Sequence, residues 1–388
     1  VQWLKLGVVD IQIAKKIIAD NFAEDKDERE KAFSIYLTKP YQTIHDSPTI
    51  KYYTDWNLYD SLNINNISLQ KVYRTEDKYL INIKDDDIII GKDVNVDDNI
   101  KDGILNIDEH KLVSLSLSLS RRITIKESGQ YYIKHTITKP NYFSPSHLII
   151  EVPKDIEIKL IYEVSNFADN SLVSPLISIN IEEGGKLDFQ FINLSGNNSL
   201  LFSYIKANIK GKLDSSIFVN GAKMAHVEFI TKLWENSISN FSSRALGTYN
   251  NRIDIVNNVI HLGERSSSNG NMKAISNDQA FTVVRGTASI NETAIDSSTS
   301  IIGRSLILGK EAKAVVSPML EVKTGRVVMA KHSASITRID ENQIFYLQSR
   351  GFNKKEAEGL IIRGFIIEEQ DPEGLKNKIE EILTSLGY

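Results

Sequence analysis

From residue 111 onward the chain breaks into short apolar runs that recur about every ten residues, with Gly, Asn or Asp between them. The first, VSLSLSLS at 113–120, sets Val113, Leu115, Leu117 and Leu119 against serines, the alternation of a half-buried strand. HLIIEV, EIKLIYEV, LISINI, KLDFQFINL, LFSYIKANI, SSIFV, HVEFITKLW, IDIVNNVIHL, AFTVV, TSIIGRSLIL and AVVSPMLEV continue the series, and no strong amphipathic helix interrupts it. Such spacing fits a sandwich, a barrel or a solenoid. A faint repeat favours the solenoid. Gly185 precedes Lys186 and Leu187, and Gly211 precedes Lys212 and Leu213, 26 residues later. Gly286 follows after 75 residues and Gly309 after another 23. Turns at multiples of roughly 25 residues are what stacked coils of a parallel β-helix require. Each coil would bury its inward side chains against the next, with helices capping the ends.

Those helices are legible on both sides. Residues 1–60 read as an N-terminal helical region. Asp10 caps a helix bearing Ile13, Ile17 and Ile18, and Ala32, Phe33, Tyr36 and Leu37 carry an apolar face as far as Pro40. Between them EDKDEREK, 24–31, reads as a solvated helix face or turn. KYYTDWNL, 51–58, reads as an aromatic cluster tying these helices to the body. Residues 61–110 read as an irregular acidic connection. Their Asp and Asn clusters lack the EF-hand spacing and suit turns better than calcium. The β-helix core is expected over 111–338 and a C-terminal helical domain over 339–388. In that domain Asp340, Asn353 and Asp371 are the expected helix caps, and Leu375, Ile379, Ile382, Leu383 and Leu386 form the last apolar stripe.

Several kinds of chemistry are excluded or unsupported. The 388 residues contain no cysteine, so disulfides, thiolate metal sites and cysteine nucleophiles are absent. A net charge of −4 gives no basic surplus for nucleic acid. No apolar run reaches the eighteen or so residues of a membrane span, and no signal sequence opens the chain, so a cytoplasmic location is expected. GxxxxGK[ST], G-x-S-x-G and H-E-x-x-H do not occur. The histidines, His45, His110, His135, His147, His226, His261 and His332, form no local metal signature.

The densest stretch is 318–365. Val328, Ala330, His332, Ala334 and Ile336 share one parity of a strand, which places His332 on the apolar face. Pro318, Leu320, Glu321 and Val322 precede it. Asp340, Glu341, Gln343, Phe345 and Tyr346 follow, then Ser349, Arg350, Gly351, and finally Gly364 and Phe365. In this order the residues resemble the C-terminal core of the SufB/SufD proteins, scaffold subunits of an iron–sulfur cluster assembly machine. The match is dense over about fifty residues and extends more weakly back to Arg244.

That resemblance implies a mainly β fold: a right-handed parallel β-helix core flanked by N-terminal and C-terminal helical regions. With no thiol to offer, the chain resembles the SufD-like branch. Such a subunit is a non-catalytic scaffold that pairs with a SufB-like paralogue and docks a SufC-type ABC ATPase. It binds no cofactor alone and meets a transient iron–sulfur cluster in the complex. In isolation a homodimer is the corresponding expectation. The histidine matching His332 faces the SufB-like subunit, which implies an imidazole ligand or donor at a nascent cluster. Where the family often has a cysteine two residues earlier, this chain has Ala330.

Other site residues carry two readings each. Glu321 either polarises the interface near His332 or is an ordinary paired strand carboxylate. His261 sits at a family-like position, where a turn-capping or interface role is the plainer reading. Tyr346, Gln348, Arg350 and Gly351 are candidates for the ATPase contact, with Arg350 alternatively pairing inside its own domain. Two other functions stay open. A polysaccharide-active β-helix enzyme would need a carboxylate set, for which Asp188, Asp214 and Asp254 look scattered. The remaining alternative is a homomeric structural scaffold.

Overall fold

A computed structural model describes residues 7–42 and 53–388 of the chain. It is 48% strand and 20% helix, a parallel β-solenoid of about 7 turns with helices at both ends. The mainly β expectation therefore holds.

The N-terminal region contains α1 (Ile11–Asn21), α2 (Lys26–Thr38) and the short α3 (Asn57–Asp60). Asp10 caps α1 as expected, its Oδ1 accepting from the N–H groups of Gln12 and Ile13 at 2.9 Å. His45, Lys51 and Tyr52 lie outside the described residues. The rest of the aromatic segment does tie the helices to the body. The Trp56 ring stacks on Tyr41 at 4.9 Å and lies 5.0 Å from the His226 ring of the solenoid, and Tyr53 meets Phe281 edge-on at 6.0 Å.

Two expectations fail in the next stretch. Residues 61–110 are not irregular. They form β1 (Asn66–Ile67), β2 (Lys71–Thr75), β3 (Leu80–Lys84), β4 (Asp87–Gly91) and β5 (Asn95–Asp97), which join the two main sheets. The alternating VSLSLSLS segment is not a strand but most of helix α4 (Lys111–Leu119). Its leucines and its Ser114, Ser116 and Ser118 are all fully buried, so alternation no longer separates a wet from a dry face. Serine is small enough to bury on a helix if its hydroxyl is satisfied. Ser118 donates to the Leu115 carbonyl at 2.7 Å, and Ser116 bonds Ser174 at 2.5 Å. The charged run ahead of it is not wholly solvated either. Arg29 of α2 is fully buried and donates to the carbonyls of Leu117 and Ser118, closing the orphan C-terminal acceptors of α4. Burial pushes its guanidinium down to about 10, against the pull of Asp98 and Asp25.

The solenoid strands follow in pairs. They are β6 (Arg122–Ile125), β7 (Gly129–Ile137), β8 (Tyr142–Val152), β9 (Glu157–Asn166), β10 (Leu172–Ile181), β11 (Lys186–Ser195), β12 (Leu200–Ile209) and β13 (Lys212–Asn220). Next come β14 (Met224–Leu233), β15 (Ile238–Gly247), β16 (Arg252–His261), β17 (Ser267–Ser276), β18 (Phe281–Ile290), β19 (Ser297–Ile307), β20 (Lys313–Val322) and β21 (Val327–Arg338). From β6 on, even-numbered strands build one sheet and odd-numbered strands the other. Every step from β8 to β20 and from β9 to β21 is parallel. A coil takes 24 to 32 residues, from the Leu201–Ala225 step to the Thr282–Ala314 step. The expected spacing of about 25 is the short end of this range. Gly286 is not a turn glycine: it lies inside β18, where a Cβ would meet the Asn257 carbonyl oxygen at 1.8 Å.

Register makes the core. In one inward column Phe189, Ser215, Phe241, Gly270, Ile301 and His332 stack on successive coils. Large and small residues alternate, and the missing side chain of Gly270 leaves room for the Phe241 ring. The tail is α5 (Glu341–Ser349), α6 (Lys354–Ile366) and α7 (Glu373–Ser385). Asp340 accepts from the Asn342 N–H, and Asn353 and Glu356 form a reciprocal capping box, both as expected. Asp371 does not cap α7; Pro372 stands at that position, and the Asp371 carboxylate is buried against Arg244 instead.

Candidate functional site at the terminal coil

β20 and β21 end their sheets, so no further coil covers them. The inward column that buries Phe189 and Ile301 therefore leaves its last member, His332, exposed. Met319, Val322, Val328, Met329 and Ile336 are exposed around it, with Val328 73% and Ile336 57% accessible. A run of unpaired strand edge with apolar side chains is a surface that invites a partner.

The His332 imidazole is held by one bond. Its Nδ1 lies 3.0 Å from the Pro318 carbonyl oxygen. A carbonyl only accepts, so Nδ1 carries the proton and donates. In the neutral ring Nε2 then keeps its lone pair. Of the described histidines, His332 alone is exposed. The others are engaged in the body. His135 bonds Tyr162 at 2.8 Å and Ser144 at 2.7 Å, and burial pushes it down to about 3. His261 bonds Ser266 and Ser268 at 2.8 Å, the turn-capping role, and burial brings it to about 4. His147 faces Asp102 at 2.9 Å.

Glu321 is exposed, and its carboxylate accepts from the Ser289 hydroxyl at 2.9 Å and pairs with Lys323 at 3.3 Å. Those two contacts hold it below the usual carboxylate range. Its hydrogen bonds thus go to its neighbours in the sheet and not to His332. Tyr346, Gln348 and Arg350 are exposed on or just after α5, and Gly351 follows with φ +100. Arg350 donates to the Tyr346 hydroxyl at 3.2 Å, the pairing within the domain. Phe345, which the sequence offers only as a residue of the resemblance, is 74% exposed, and Phe352 is 40% exposed. Their exposure could be found only once Ile344 was known to take the single buried position of α5.

A second cluster was missed. Asp254 is 1% exposed and bidentate to Arg285, with both contacts at 2.9 Å. The Thr54 hydroxyl donates to Asp254 at 2.9 Å and bonds His226 Nδ1 at 2.8 Å. Burial alone would raise the Asp254 carboxyl, but His226 and Arg285 outweigh it and hold the group far below the usual range. Burial lowers His226, yet Asp254 and Glu228 together raise it. His226, Asp254 and Arg285 lie on successive coils, β14, β16 and β18, and Thr54 reaches them from the N-terminal region, a gathering that local sequence does not reveal. Asp188 and Asp214 likewise stack as register partners rather than being scattered. Among the described residues no three His, Asp or Glu are placed to hold a metal ion. No helix among them is long and apolar enough to cross a membrane.

The chain is thus a parallel β-solenoid protein that ends in an uncovered apolar edge, with one exposed imidazole among its described histidines at that edge and a helical tail. Residues 135–365, more than half of the chain, match the family described as SUF system FeS cluster assembly, SufBD core domain, and the chain belongs to that family. It is 29% identical to the iron-sulfur cluster assembly protein SufD of Escherichia coli K12 over 218 residues, 54% of this chain and 50% of that protein. A SufBD family protein of Mycobacterium tuberculosis H37Rv, Rv1462, is 36% identical over 112 residues, 29% of this chain and 27% of the relative. Rv1461 of the same strain is 31% identical over 108 residues, 28% of this chain and 13% of the relative. These matches span half or less of each relative's length.

Proposed function

We propose that the chain is a SufD-like scaffold subunit of an iron–sulfur cluster assembly complex. It pairs through β20 and β21 with a SufB-like paralogue and presents α5 to a SufC-type ABC ATPase, in the cytoplasm. The observation that carries this reading is His332: Nδ1 bound to Pro318, Nε2 available, on an uncovered edge. Neutral imidazole is a competent ligand for iron. Since the chain has no cysteine and the described residues hold no ligand cluster of their own, the nascent cluster, the complex's cargo, takes its remaining ligands from the partner. The chain serves as a non-catalytic subunit with no resident cofactor.

The test is a His332→Ala chain co-expressed with its paralogue and ATPase, purified without oxygen and assayed for iron and acid-labile sulfide. Retained association with lost cluster assembly supports the reading. Normal assembly removes His332 from the site. A chain that forms only homodimers and ignores both partners favours the homomeric scaffold.

A further inference from the structure

A cavity of about 440 Å³ lies between the N-terminal region and the outer face of the even-numbered sheet. Its floor includes His226 and Glu228 of β14 and Arg285 of β18. The floor is internally satisfied. Arg285 spends Nε and Nη2 on Asp254, and the Thr54 hydroxyl, having donated to Asp254, accepts from His226 Nδ1. The walls are rings. Tyr41 stacks on Trp56 at 4.9 Å, and His110 lies 4.9 Å from both Trp56 and Phe202. Three polar atoms in these walls are stranded. Trp56 Nε1, His110 Nε2 and Gln42 Oε1 are buried without a hydrogen-bond partner among the described residues. His110 Nδ1 accepts from the Leu112 N–H at 3.1 Å, so in the neutral ring the proton sits on Nε2. Burial brings His110 down to about 3, which keeps the ring neutral near pH 7. The walls therefore hold two N–H donors and one carbonyl acceptor with nothing to bond.

We propose that this cavity binds a neutral planar heterocycle that carries carbonyl oxygens and a ring N–H, the class of uracil and guanine. Carbonyl oxygens of the ring accept from Trp56 Nε1 and His110 Nε2, and its N–H donates to Gln42 Oε1. Buried polar groups are costly to leave unpaired, and one such ligand satisfies all three. Aromatic walls suit a flat ring, which packs its faces against them with little loss of freedom. The volume is that of an ordinary small-molecule site. Lining charges balance, Lys39 and Arg285 against Glu109 and Glu228, which favours a neutral ligand over an oxyanion. The site shares no residue with the terminal coil, so the inference goes beyond the proposed function and stands or falls independently of it.

Calorimetric titration of the full chain with uridine, guanosine, 3-methyluridine, benzoate and inorganic phosphate tests it. Uridine or guanosine should bind with a dissociation constant of about 0.1 mM or tighter. 3-Methyluridine, which lacks the ring N–H, should bind at least about tenfold more weakly than uridine. Trp56→Phe keeps a ring and removes the donor, and should weaken the bound nucleoside at least about tenfold. Gln42→Leu, on a half-buried residue, should do the same and serves if Trp56→Phe loses the fold. In the chain labelled with ¹⁵N-histidine, the His110 Nε2–H resonance should shift on addition of the nucleoside. The proposal is overturned if neither nucleoside binds at about 5 mM, or if both variants bind as the unmodified chain does. It is equally overturned if 3-methyluridine matches uridine, or if benzoate or phosphate binds more tightly than either nucleoside.

Discussion

Nδ1 of His332 and the carbonyl of Pro318, 3.0 Å apart, join the last strands of the two sheets. The bond selects one tautomer, and through it which nitrogen faces outward chemistry. It also joins two residues that are 14 apart in the chain and carry the family resemblance. Proline at 318, in the middle of β20, supplies its carbonyl without an N–H of its own, so this position offers an acceptor and no backbone donor.

The uncovered edge gives the first prediction. Ile336→Lys should weaken pairing with a SufB-like chain at least about tenfold while leaving the melting temperature within about 2 °C, because an exposed side chain carries little folding energy. Sedimentation of mixtures against the unmodified chain, with thermal unfolding alongside, measures both. An unchanged dissociation constant would place the pairing surface elsewhere.

Most of the solenoid could be read from the sequence because inward positions of strands such as β9 and β11 carry Ile, Leu, Tyr and Phe while outward ones carry Lys, Glu and Asp. β15 and β17 escaped. Their sequences, ISNFSSRALG and SSNGNMKAIS, fill inward positions with Ser, Gly and Ala beside single large residues. The Phe241–Gly270 pair shows why: one ring occupies the volume of two side chains, so the hydrophobic signal of the next strand disappears. The opposite error befell α4. Local alternation fixes a strand only when one face is wet, and in α4 Ser114 donates to the Ile107 and His110 carbonyls, Ser116 bonds Ser174 and Ser118 donates to the Leu115 carbonyl, so all three serines are buried with their hydroxyls satisfied. The candidate site was legible by residue identity but not by exposure. His332 does occupy the inward parity, and only the end of the stack turns that position into a surface.

Asp254 yields a prediction with a pH sign. Its folded value lies below the unfolded one, so its stabilising contribution is complete above about pH 4 and is lost as pH falls through the folded value. His226 is raised, so its contribution is complete below about pH 6.5 and fades as pH rises through its folded value. Asp254→Asn should cost about 3 kcal/mol at neutral pH, since Arg285 loses its partner. It should also move the His226 imidazole titration downward. Urea unfolding and proton NMR of the ring test the two parts. A His226 titration that stays in place would show that Glu228 alone sustains it.

Gly286 provides a backbone prediction. A Cβ there meets the Asn257 oxygen at 1.8 Å, backbone against backbone within neighbouring strands of one sheet. Neither atom can rotate away, so Gly286→Ala should destabilise by about 2 kcal/mol or more, at the upper end of ordinary single substitutions. Chemical denaturation against Gly325→Ala, where a Cβ meets nothing within 4 Å, supplies the control. Equal midpoints for the two variants would contradict the close approach of β16 and β18.

His135 makes the solenoid acid-sensitive well before its carboxylates protonate. It is fully buried between Tyr162 and Ser144, and burial holds it near 3, whereas in the unfolded chain it titrates near about 6.5. Below that value the unfolded state binds a proton that the folded state refuses, so stability falls with falling pH. Between about pH 6 and pH 4 the slope from this one residue approaches about 1.4 kcal/mol per pH unit. His110, brought to about 3, and His261, brought to about 4, add slopes of the same sign. His135→Gln keeps a side chain that can both donate and accept, and removes the titration. It should be less stable than the unmodified chain at pH 7 and lose less on going to pH 5. Urea midpoints at the two pH values decide it: parallel losses in both proteins would mean that His135 is protonated inside the fold.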